Sequence, residues 1–226
     1  KQEDKDIMTK INTVLFDFDG TIMDTNKVIL QSWQHTFRMV EGRERSAEEI
    51  ISTFGEPLHI TMEKILPQIP AEEGIQIYRS YHQDKFKDLI EIFPGITSLL
   101  KELKDRGYKT GVVTSRLRRT TEVGLEKYDI ARYFDTVVTC EDGGKFKPDP
   151  EPVNIALARL GSKPEESVML GDSMFDILCA RNAGVKAVLV SWALAVSDEE
   201  KTGENAPDYI IEKAEDLMPI LEGGEK

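Results

Sequence analysis

The chain has few cysteines, few histidines and no long apolar run. Only two of its 226 residues are cysteines, Cys140 and Cys179, in segments that we expect to be a strand end and a helix. Two cysteines in such segments argue against a fold held together by disulfides, so we expect reduced thiols. No apolar run approaches the roughly 20 residues of a membrane span, and the opening KQEDKDIMTK lacks the apolar centre of a signal peptide. We therefore expect a cytoplasmic protein without a membrane segment.

Basic charge is also scarce. The chain carries 29 Lys and Arg residues against 41 Asp and Glu residues, which gives a formal net charge of −12 at pH 7. Nucleic-acid backbones and anionic membranes bind basic surfaces, so this balance argues against both as partners. A hydrophobic content of 40% in 226 residues is enough for one large domain, or for a core domain with an insertion. We expect the partner to be a small molecule.

Short apolar runs rich in β-branched residues alternate with helical patterns along most of the chain. The runs predicted to be strands are 13–20, 109–115, 135–140, 167–173 and 186–192. The segments predicted to be helices are 96–106, 117–128, 152–160 and 176–182. Such alternation predicts a Rossmann-like α/β fold, in which helices cover both faces of a mostly parallel sheet. Ligands of such folds bind outside the carboxyl ends of the strands.

One interval, from Asp24 to about Glu91, contains only helical patterns and is too long for a simple crossover. We expect a helical insertion there (residues 24–91, below "the insertion") that acts as a cap over the carboxyl edge of the sheet. The predicted catalytic core then consists of residues 8–23 and 92–226. The polar segment 197–208 is predicted to be a surface loop.

Polar residues follow four of the predicted strands. They are Asp17 and Asp19 after the first, Thr114 and Ser115 after the second, Lys147 after the third, and Asp172 and Asp176 after the fourth. Parallel strands bring such ends together at one edge of the sheet. Carboxylates around one point suit Mg²⁺, which works beside substrate phosphates. A lysine and a hydroxyl group beside the cation favour a phosphoryl group as ligand.

The two aspartates of the first strand end are predicted to have different roles. Side chains two apart on a regular strand face the same side, whereas a turn beginning at Gly20 can reorient the second carboxylate. Asp17 is the better candidate for a nucleophile that attacks phosphorus and forms an aspartyl phosphate. Asp19 is then placed to protonate the leaving oxygen and to activate the water.

These motifs resemble those of the haloacid dehalogenase-like hydrolase superfamily, in the family order and over nearly the whole chain. They are DFDGT at 17–21, Thr114 after two valines, Lys147 before Pro148, and GDSMFD at 171–176. The resemblance implies that Mg²⁺ is held by Asp17, the main-chain carbonyl of Asp19, and Asp172. Asp176 would lie close by or bind the ion through water. Thr114 would bind the transferred phosphoryl oxygens, and Lys147 would balance charge.

Several further residues are candidates on weaker grounds. We expect the substrate to contact Gly20, Thr21, Ser115, Arg116 and Gly55. Lys145 is an alternative to Lys147, but Pro148 matches the family motif and favours Lys147. Asp24 is expected to cap the helix that enters the insertion. The three histidines, His35, His59 and His82, have no ligand-like spacing and are interpreted as surface or packing residues.

Within the superfamily the sequence favours a phosphatase. Dehalogenases lack the second aspartate of the first motif, which is Asp19 here. Stretches at 12–26, 55–58, 112–126 and 146–153 resemble bacterial inorganic pyrophosphatases, and the similar phosphoglycolate phosphatases share the catalytic motifs. A β-phosphoglucomutase-like enzyme of phosphosugars stays an alternative. A non-catalytic binding module is another, although such a module would be free to lose Asp17, Asp19 or Lys147, and all three are present.

Overall fold

The computed structural model describes residues 10–53, 56–192 and 201–223. Its strands are β1 (Thr13–Phe16), β2 (Met23–Asp24), β3 (Glu91–Ile92), β4 (Lys109–Val113), β5 (Thr136–Val138), β6 (Ser167–Gly171), β7 (Lys186–Val190) and β8 (Tyr209–Ile211). Its helices are α1 (Asn26–Glu41), α2 (Ala47–Ile51), α3 (Leu58–Ile65), α4 (Ala71–Leu89), α5 (Ile96–Asp105), α6 (Arg118–Lys127), α7 (Glu151–Leu160), α8 (Met174–Asn182) and α9 (Leu217–Leu221).

Six strands form one parallel sheet in the order β5-β4-β1-β6-β7-β8. The five predicted strands all belong to it, and α5 to α8 follow them where helices were predicted, so the predicted α/β fold class is confirmed. The edge strand β8 was not predicted. It directly follows the segment predicted to be a surface loop, of which residues 197–200 lie outside the described part of the chain.

The sheet is buried on both faces, which is why its strands are continuous apolar runs. Successive side chains of a strand point to opposite faces. In β1, Val14 and Phe16 belong to one buried cluster, to which α5 and α9 also contribute, whereas Leu15 belongs to the other, to which α7 and α8 contribute. The same alternation recurs in β6, where Met169 contacts the second cluster. Helices on both sides therefore hold the carboxyl edge of the sheet in place.

The insertion has its own apolar cluster, formed by α1 to α4. Trp33 and Phe37 of α1 stack with ring centroids 5.6 Å apart, and Tyr78 of α4 packs edge-on against Trp33. The two α1 residues are four apart in the sequence, a spacing that is typical of the buried face of a helix. The N-cap residue of α1 is Thr25, one position after the predicted Asp24. Oδ1 of Asp24 nevertheless accepts a hydrogen bond from the main-chain N–H of Asn26 at 3.1 Å, so it pairs the first N–H group of the helix.

The insertion begins and ends at a two-stranded antiparallel pair. In this pair Met23 of β2 lies opposite Ile92 of β3, and Asp24 lies opposite Glu91. The pair was not predicted, because two residues on each side are too few to give a strand pattern. Within the described residues, no helix is long and apolar enough to cross a bilayer.

Candidate active site

Three of the predicted strand ends meet at the centre of the sheet. Strand β1 lies between β4 and β6, and its last residue, Phe16, pairs with Val112 on one side and Leu170 on the other. The residues that follow these strands, Asp17 and Asp172 among them, therefore leave the sheet side by side. The main-chain N–H of Asp17 donates a hydrogen bond to the carbonyl of Leu170 at 2.8 Å, which continues the ladder to the edge of the site.

Asp17, Asp172 and Asp176 form an acidic cluster (below "the acidic cluster"), in which one carboxylate oxygen of each residue lies within 4.8 Å of the others. Asp176 lies in the first turn of α8. Its Oδ2 accepts hydrogen bonds from the main-chain N–H of Ser173 at 3.1 Å and from the Ser173 hydroxyl at 2.7 Å. This capping box fixes the Asp176 side chain and leaves its Oδ1 directed toward Lys147.

Lys147 is buried and connects two members of the acidic cluster. Its Nζ donates to Oδ1 of Asp17 and to Oδ1 of Asp176, each at 2.6 Å. The residue comes from the loop between β5 and α7, far from both partners in sequence. The alternative lysine, Lys145, is exposed and pairs with Asp149 at 3.0 Å. The structure thus places Lys147, and not Lys145, beside the acidic cluster.

The charges of the site are unbalanced without a cation. Burial raises the pKa of Asp17 to about 7; Lys147 opposes this shift and Asp176 adds to it. Burial, followed by the charges of Asp176 and Asp17, also raises the pKa of Asp172 well above 3.8. Burial by itself lowers the pKa of Lys147, but the charges of Asp17 and Asp176 outweigh it and raise that pKa.

Three carboxylates and one ammonium group leave two negative charges in the acidic cluster when all are ionised. A divalent cation offsets that excess. The donors are all carboxylate oxygens, the ligand type that Mg²⁺ and other hard cations prefer. The residues present therefore fit a metal site of this kind.

The side chain of Asp19 does not belong to the acidic cluster. Its Oδ1 accepts a hydrogen bond from Nη1 of Arg116 at 2.6 Å. The chain turns at Gly20, whose φ of +72° is a conformation that favours glycine. A Cβ atom at Gly20 would lie 2.0 Å from Oδ2 of Asp172, so the absence of a side chain also lets the turn approach the acidic cluster.

Arg116 connects the sheet edge to the insertion. Its Nη2 lies 2.6 Å from Nε2 of His82 on α4, and its guanidinium carbon lies 4.3 Å from the ring centroid of Phe86. His82 is buried, as a packing residue would be, but it also lines the cavity beside Asp19, which its interpretation as a surface or packing residue did not include. One sequence pattern could have pointed to His82: Tyr78, His82 and Phe86 are spaced four residues apart on α4, which places them on one helix face.

The acidic cluster lies at the floor of a cavity of about 360 Å³ between the sheet edge and the insertion. The floor is polar, and the opposite wall includes apolar side chains of the insertion. Floor residues are Asp17, Asp19, Thr114, Ser115, Arg116, Lys147, Asp172 and Asp176, and apolar wall residues are Ile29, Trp33, Leu58 and Ile75.

The remaining predicted site residues lie in different surroundings. Thr114 is buried, and its hydroxyl oxygen accepts a hydrogen bond from the main-chain N–H of Arg116 at 3.2 Å. Ser115 is exposed and lines the cavity, as does Gly20. Thr21 is buried away from the cavity wall, and its hydroxyl has no hydrogen-bond partner among the residues that the structure describes. Gly55 lies outside the described residues.

Comparisons with known proteins agree on one family. The sequence model described as haloacid dehalogenase-like hydrolase matches residues 14–190. Pyrophosphatase PpaX from Bacillus cereus is 41% identical over 212 residues, which cover 94% of this chain and 97% of that protein. A haloacid dehalogenase-like family hydrolase from Streptococcus pneumoniae has a similar structure, with a TM-score of 0.84 and 27% identity over 94% of this chain and 99% of the other.

A predicted phosphoglycolate phosphatase from Haemophilus somnus shares the fold as well. Its structure gives a TM-score of 0.82 over 94% of this chain and 99% of the other, at 20% sequence identity. At that identity the likeness concerns the fold alone.

Proposed function

The chain belongs to the haloacid dehalogenase-like hydrolases, and we propose that it is a Mg²⁺-dependent phosphatase that forms an aspartyl-phosphate intermediate on Asp17. Its proposed substrate is inorganic pyrophosphate or a small phosphomonoester. The observation that carries this proposal is the arrangement on the cavity floor. There Asp17 is held by Lys147 beside two further carboxylates and next to the separately held carboxylate of Asp19.

In this proposal Asp17, Asp172 and Asp176, with the main-chain carbonyl of Asp19, hold the metal. When bound, Mg²⁺ supplies positive charge that stabilises the phosphoryl oxygens and offsets the excess negative charge of the site. Lys147 keeps the Asp17 carboxylate in one orientation by a hydrogen bond of 2.6 Å. Thr114, at the end of β4, lines the same cavity and offers a hydroxyl group to the phosphoryl oxygens.

Two chemical steps follow from this arrangement. In the first, a carboxylate oxygen of Asp17 bonds to phosphorus while the bond to the leaving oxygen breaks, and Asp19 gives that oxygen its proton. In the second, Asp19 takes a proton from a water molecule. The water oxygen bonds to phosphorus, the bond to Asp17 breaks, and phosphate leaves. Both steps use Asp19 as a proton carrier, so its carboxylate has to face the leaving group rather than join the metal ligands.

Two observations bear on the substrate, and each favours a different compound. The PpaX relative at 41% identity is named a pyrophosphatase, which supports pyrophosphate. Pyrophosphate is a compact, highly charged anion without a carbon skeleton, so it suits a site with little apolar lining. The insertion instead presents apolar side chains to the cavity, among them Ile29, Trp33 and Ile75. This wall favours a phosphomonoester with a carbon skeleton, such as phosphoglycolate, as the second candidate.

The division of the chain is part of the same proposal. Residues 8–23 and 92–226 form the catalytic core, and residues 24–91 act as a cap that closes over the substrate. The apolar wall of the cavity and the contact between His82 and Arg116 support this role of the insertion. Excluding water from the site would strengthen every charge interaction with the phosphoryl group.

A substrate panel tests the function, and one substitution tests the nucleophile. With Mg²⁺ present, the protein should release phosphate from pyrophosphate, phosphoglycolate or p-nitrophenyl phosphate. Asp17→Asn should abolish release, because an amide is a poor nucleophile. It should also remove the phosphoryl adduct that mass spectrometry detects on acid-quenched wild-type protein. Asp105→Asn is the matched control, since Asp105 is an exposed aspartate paired with Lys101 on α5. Equal turnover by Asp17→Asn would refute the assignment.

A further inference from the structure

A continuous chain of hydrogen bonds links the proposed acid/base residue to the first helix of the insertion. Asp19 accepts from Nη1 of Arg116 at 2.6 Å, and Nη2 of Arg116 lies 2.6 Å from Nε2 of His82. On the other side of the imidazole ring, Nδ1 of His82 lies 3.2 Å from the hydroxyl oxygen of Ser32 on α1. The links therefore come from the sheet edge, from α4 and from α1.

The hydrogen bonds assign the tautomer of His82. Ser32 has one hydroxyl proton, and it donates that proton to the main-chain carbonyl of Val28 at 2.6 Å. Toward His82 the Ser32 oxygen can therefore only accept, so Nδ1 of His82 carries the hydrogen. Nε2 then presents its lone pair to Arg116, whose nitrogen atoms can only donate. Burial, followed by the charge of Arg116, lowers the pKa of His82 to about 3, which keeps the ring in this neutral form.

Aromatic rings pack against Arg116 and His82, the two middle members of this series of hydrogen bonds. The guanidinium carbon of Arg116 lies 4.3 Å from the ring centroid of Phe86 and 5.6 Å from that of Phe18. The His82 ring stacks on Tyr78 at 5.5 Å with an interplanar angle of 17°. The guanidinium group of Arg116 thus lies over aromatic rings, and its two terminal nitrogen atoms bind Asp19 and His82. Without His82, Nη2 would lose its acceptor, and the guanidinium group would be held less firmly in the orientation that binds Asp19.

We propose that His82 is a positioning residue, which fixes Arg116 so that Arg116 holds the Asp19 carboxylate toward the leaving group and away from the acidic cluster. This inference rests on the proposed function, in which Asp19 protonates the leaving oxygen. Asp19, Arg116 and His82 all line the same cavity, while Asp19 lies outside the group formed by Asp17, Asp172 and Asp176. His82 therefore contributes to proton transfer without itself touching the reacting atoms.

The dependence of kcat/KM on the leaving group distinguishes a positioning role of His82 from a merely structural one. An alkoxide is a strongly basic leaving group and needs the proton of Asp19, whereas p-nitrophenolate departs without one. The ratio kcat/KM measures the steps up to formation of the aspartyl phosphate, so it does not include the later attack of water. A misplaced Asp19 should lower kcat/KM for an alkyl phosphate much more than for p-nitrophenyl phosphate. A general acid supplies roughly 10²–10⁴-fold in rate. Because the substitution misplaces Asp19 and does not remove it, we expect a smaller loss, of about tenfold.

The experiment compares kcat/KM for phosphoglycolate and for p-nitrophenyl phosphate, using the full chain with Mg²⁺. His82→Leu should lower the phosphoglycolate value relative to the p-nitrophenyl phosphate value, and Asp19→Asn should change the ratio in the same direction. His82→Gln should restore part of the difference, because its carboxamide oxygen can accept from Arg116. His35→Leu is the matched control: His35 also belongs to the insertion and stacks on Tyr81 at 4.7 Å, but it does not line the cavity.

Other outcomes of this experiment would overturn either the positioning role of His82 or the proposed function. If His82→Leu leaves the ratio of the two values unchanged, or lowers both values equally, the positioning role is overturned. If His82→Leu does not fold, His82→Phe takes its place, because an aromatic ring keeps the packing against Tyr78 and Phe86 but offers Arg116 no acceptor. A ratio that His82→Phe leaves unchanged then overturns the inference. If the wild-type protein hydrolyses pyrophosphate but neither ester, an unchanged kcat/KM of His82→Leu for pyrophosphate overturns the inference. If it releases phosphate from none of the three compounds, the proposed function fails and this inference fails with it.

Discussion

Replacing Asp172 by asparagine should stabilise the metal-free protein and remove its response to Mg²⁺. Asp172 shares the acidic cluster with Asp17 and Asp176, and its carboxylate oxygen lies within 4.8 Å of theirs. Asparagine has nearly the same shape but no charge, so the substitution removes repulsion with little change in packing. The same substitution removes a metal ligand, so any stabilisation by Mg²⁺ should shrink.

The size of the effect follows from Coulomb's law. Two unit charges 4.8 Å apart, the upper limit of the separation in the acidic cluster, repel by about 3.5 kcal/mol at an effective dielectric constant of roughly 20. Asp172 faces two such carboxylates, and the Lys147 ammonium group attracts it more weakly than either carboxylate repels it. When all three carboxylates are ionised, the net repulsion on Asp172 is therefore at least that of one pair, about 3.5 kcal/mol. Its removal from a protein of this length raises the melting temperature by roughly 7–14 °C.

Thermal unfolding in EDTA, followed by circular dichroism, measures the effect, and titration with Mg²⁺ measures the response. Asp142→Asn is a control with the opposite sign. Burial raises the pKa of Asp142, but hydrogen bonds from Arg159 and Thr139 outweigh it and lower that pKa to about 2. Its charge is therefore stabilising, and Asp142→Asn should lower the melting temperature.

The advantage of Asp172→Asn should also depend on pH. The folded state raises the pKa of Asp172 above its unfolded value near 3.8, so this carboxyl group favours folding when protonated, and that contribution is lost as the pH rises. The difference in melting temperature should therefore be smallest near pH 4 and largest near pH 8. A melting temperature of Asp172→Asn in EDTA equal to or below that of the wild type at pH 8 would refute the reasoning.

Two further substitutions test the contacts around the acidic cluster. Lys147→Ala leaves Asp17 without its 2.6 Å partner and should lower kcat/KM for p-nitrophenyl phosphate by on the order of 10²–10³, whereas the exposed Lys145→Ala should keep wild-type turnover. Gly20→Ala should weaken Mg²⁺ binding, measured by the Mg²⁺ dependence of turnover, because the new Cβ would lie 2.0 Å from Oδ2 of Asp172. Gly42→Ala is its control, since Gly42 has the same φ of +72° but no atom within 4 Å of a new Cβ. Wild-type values for Lys147→Ala or Gly20→Ala would contradict these readings.

The parallel strands could be predicted because their sequences carry the signal locally. A strand such as β6, buried on both faces, is a continuous run of apolar residues between polar segments. The edge strand β8 has three residues and the pair β2–β3 has two on each side, so no pattern could form. These elements exist because their partners are near in space, as Ile92 is to Met23.

The site was predictable where its residues occupy strand ends, and not elsewhere. Asp17 and Asp172 follow strands that flank each other, so their proximity follows from the parallel topology. His82 lies on a helix of the insertion, with Tyr78 and Phe86 one turn away on either side. That pattern is also typical of an ordinary core face, and a sequence cannot show which buried side chains such a face meets.

The amino-acid sequence by itself determined the order of strands and helices, the place of the insertion and the residues that stand at the strand ends, because periodicity and strand position are local properties of the chain. Only the tertiary structure decided which charges meet. Lys147 pairs with Asp17 and Asp176, and Arg116 joins Asp19 to His82. These partners depend on how loops and helices from distant segments pack over the sheet edge, and burial there makes each unpaired charge too costly to remain without a partner.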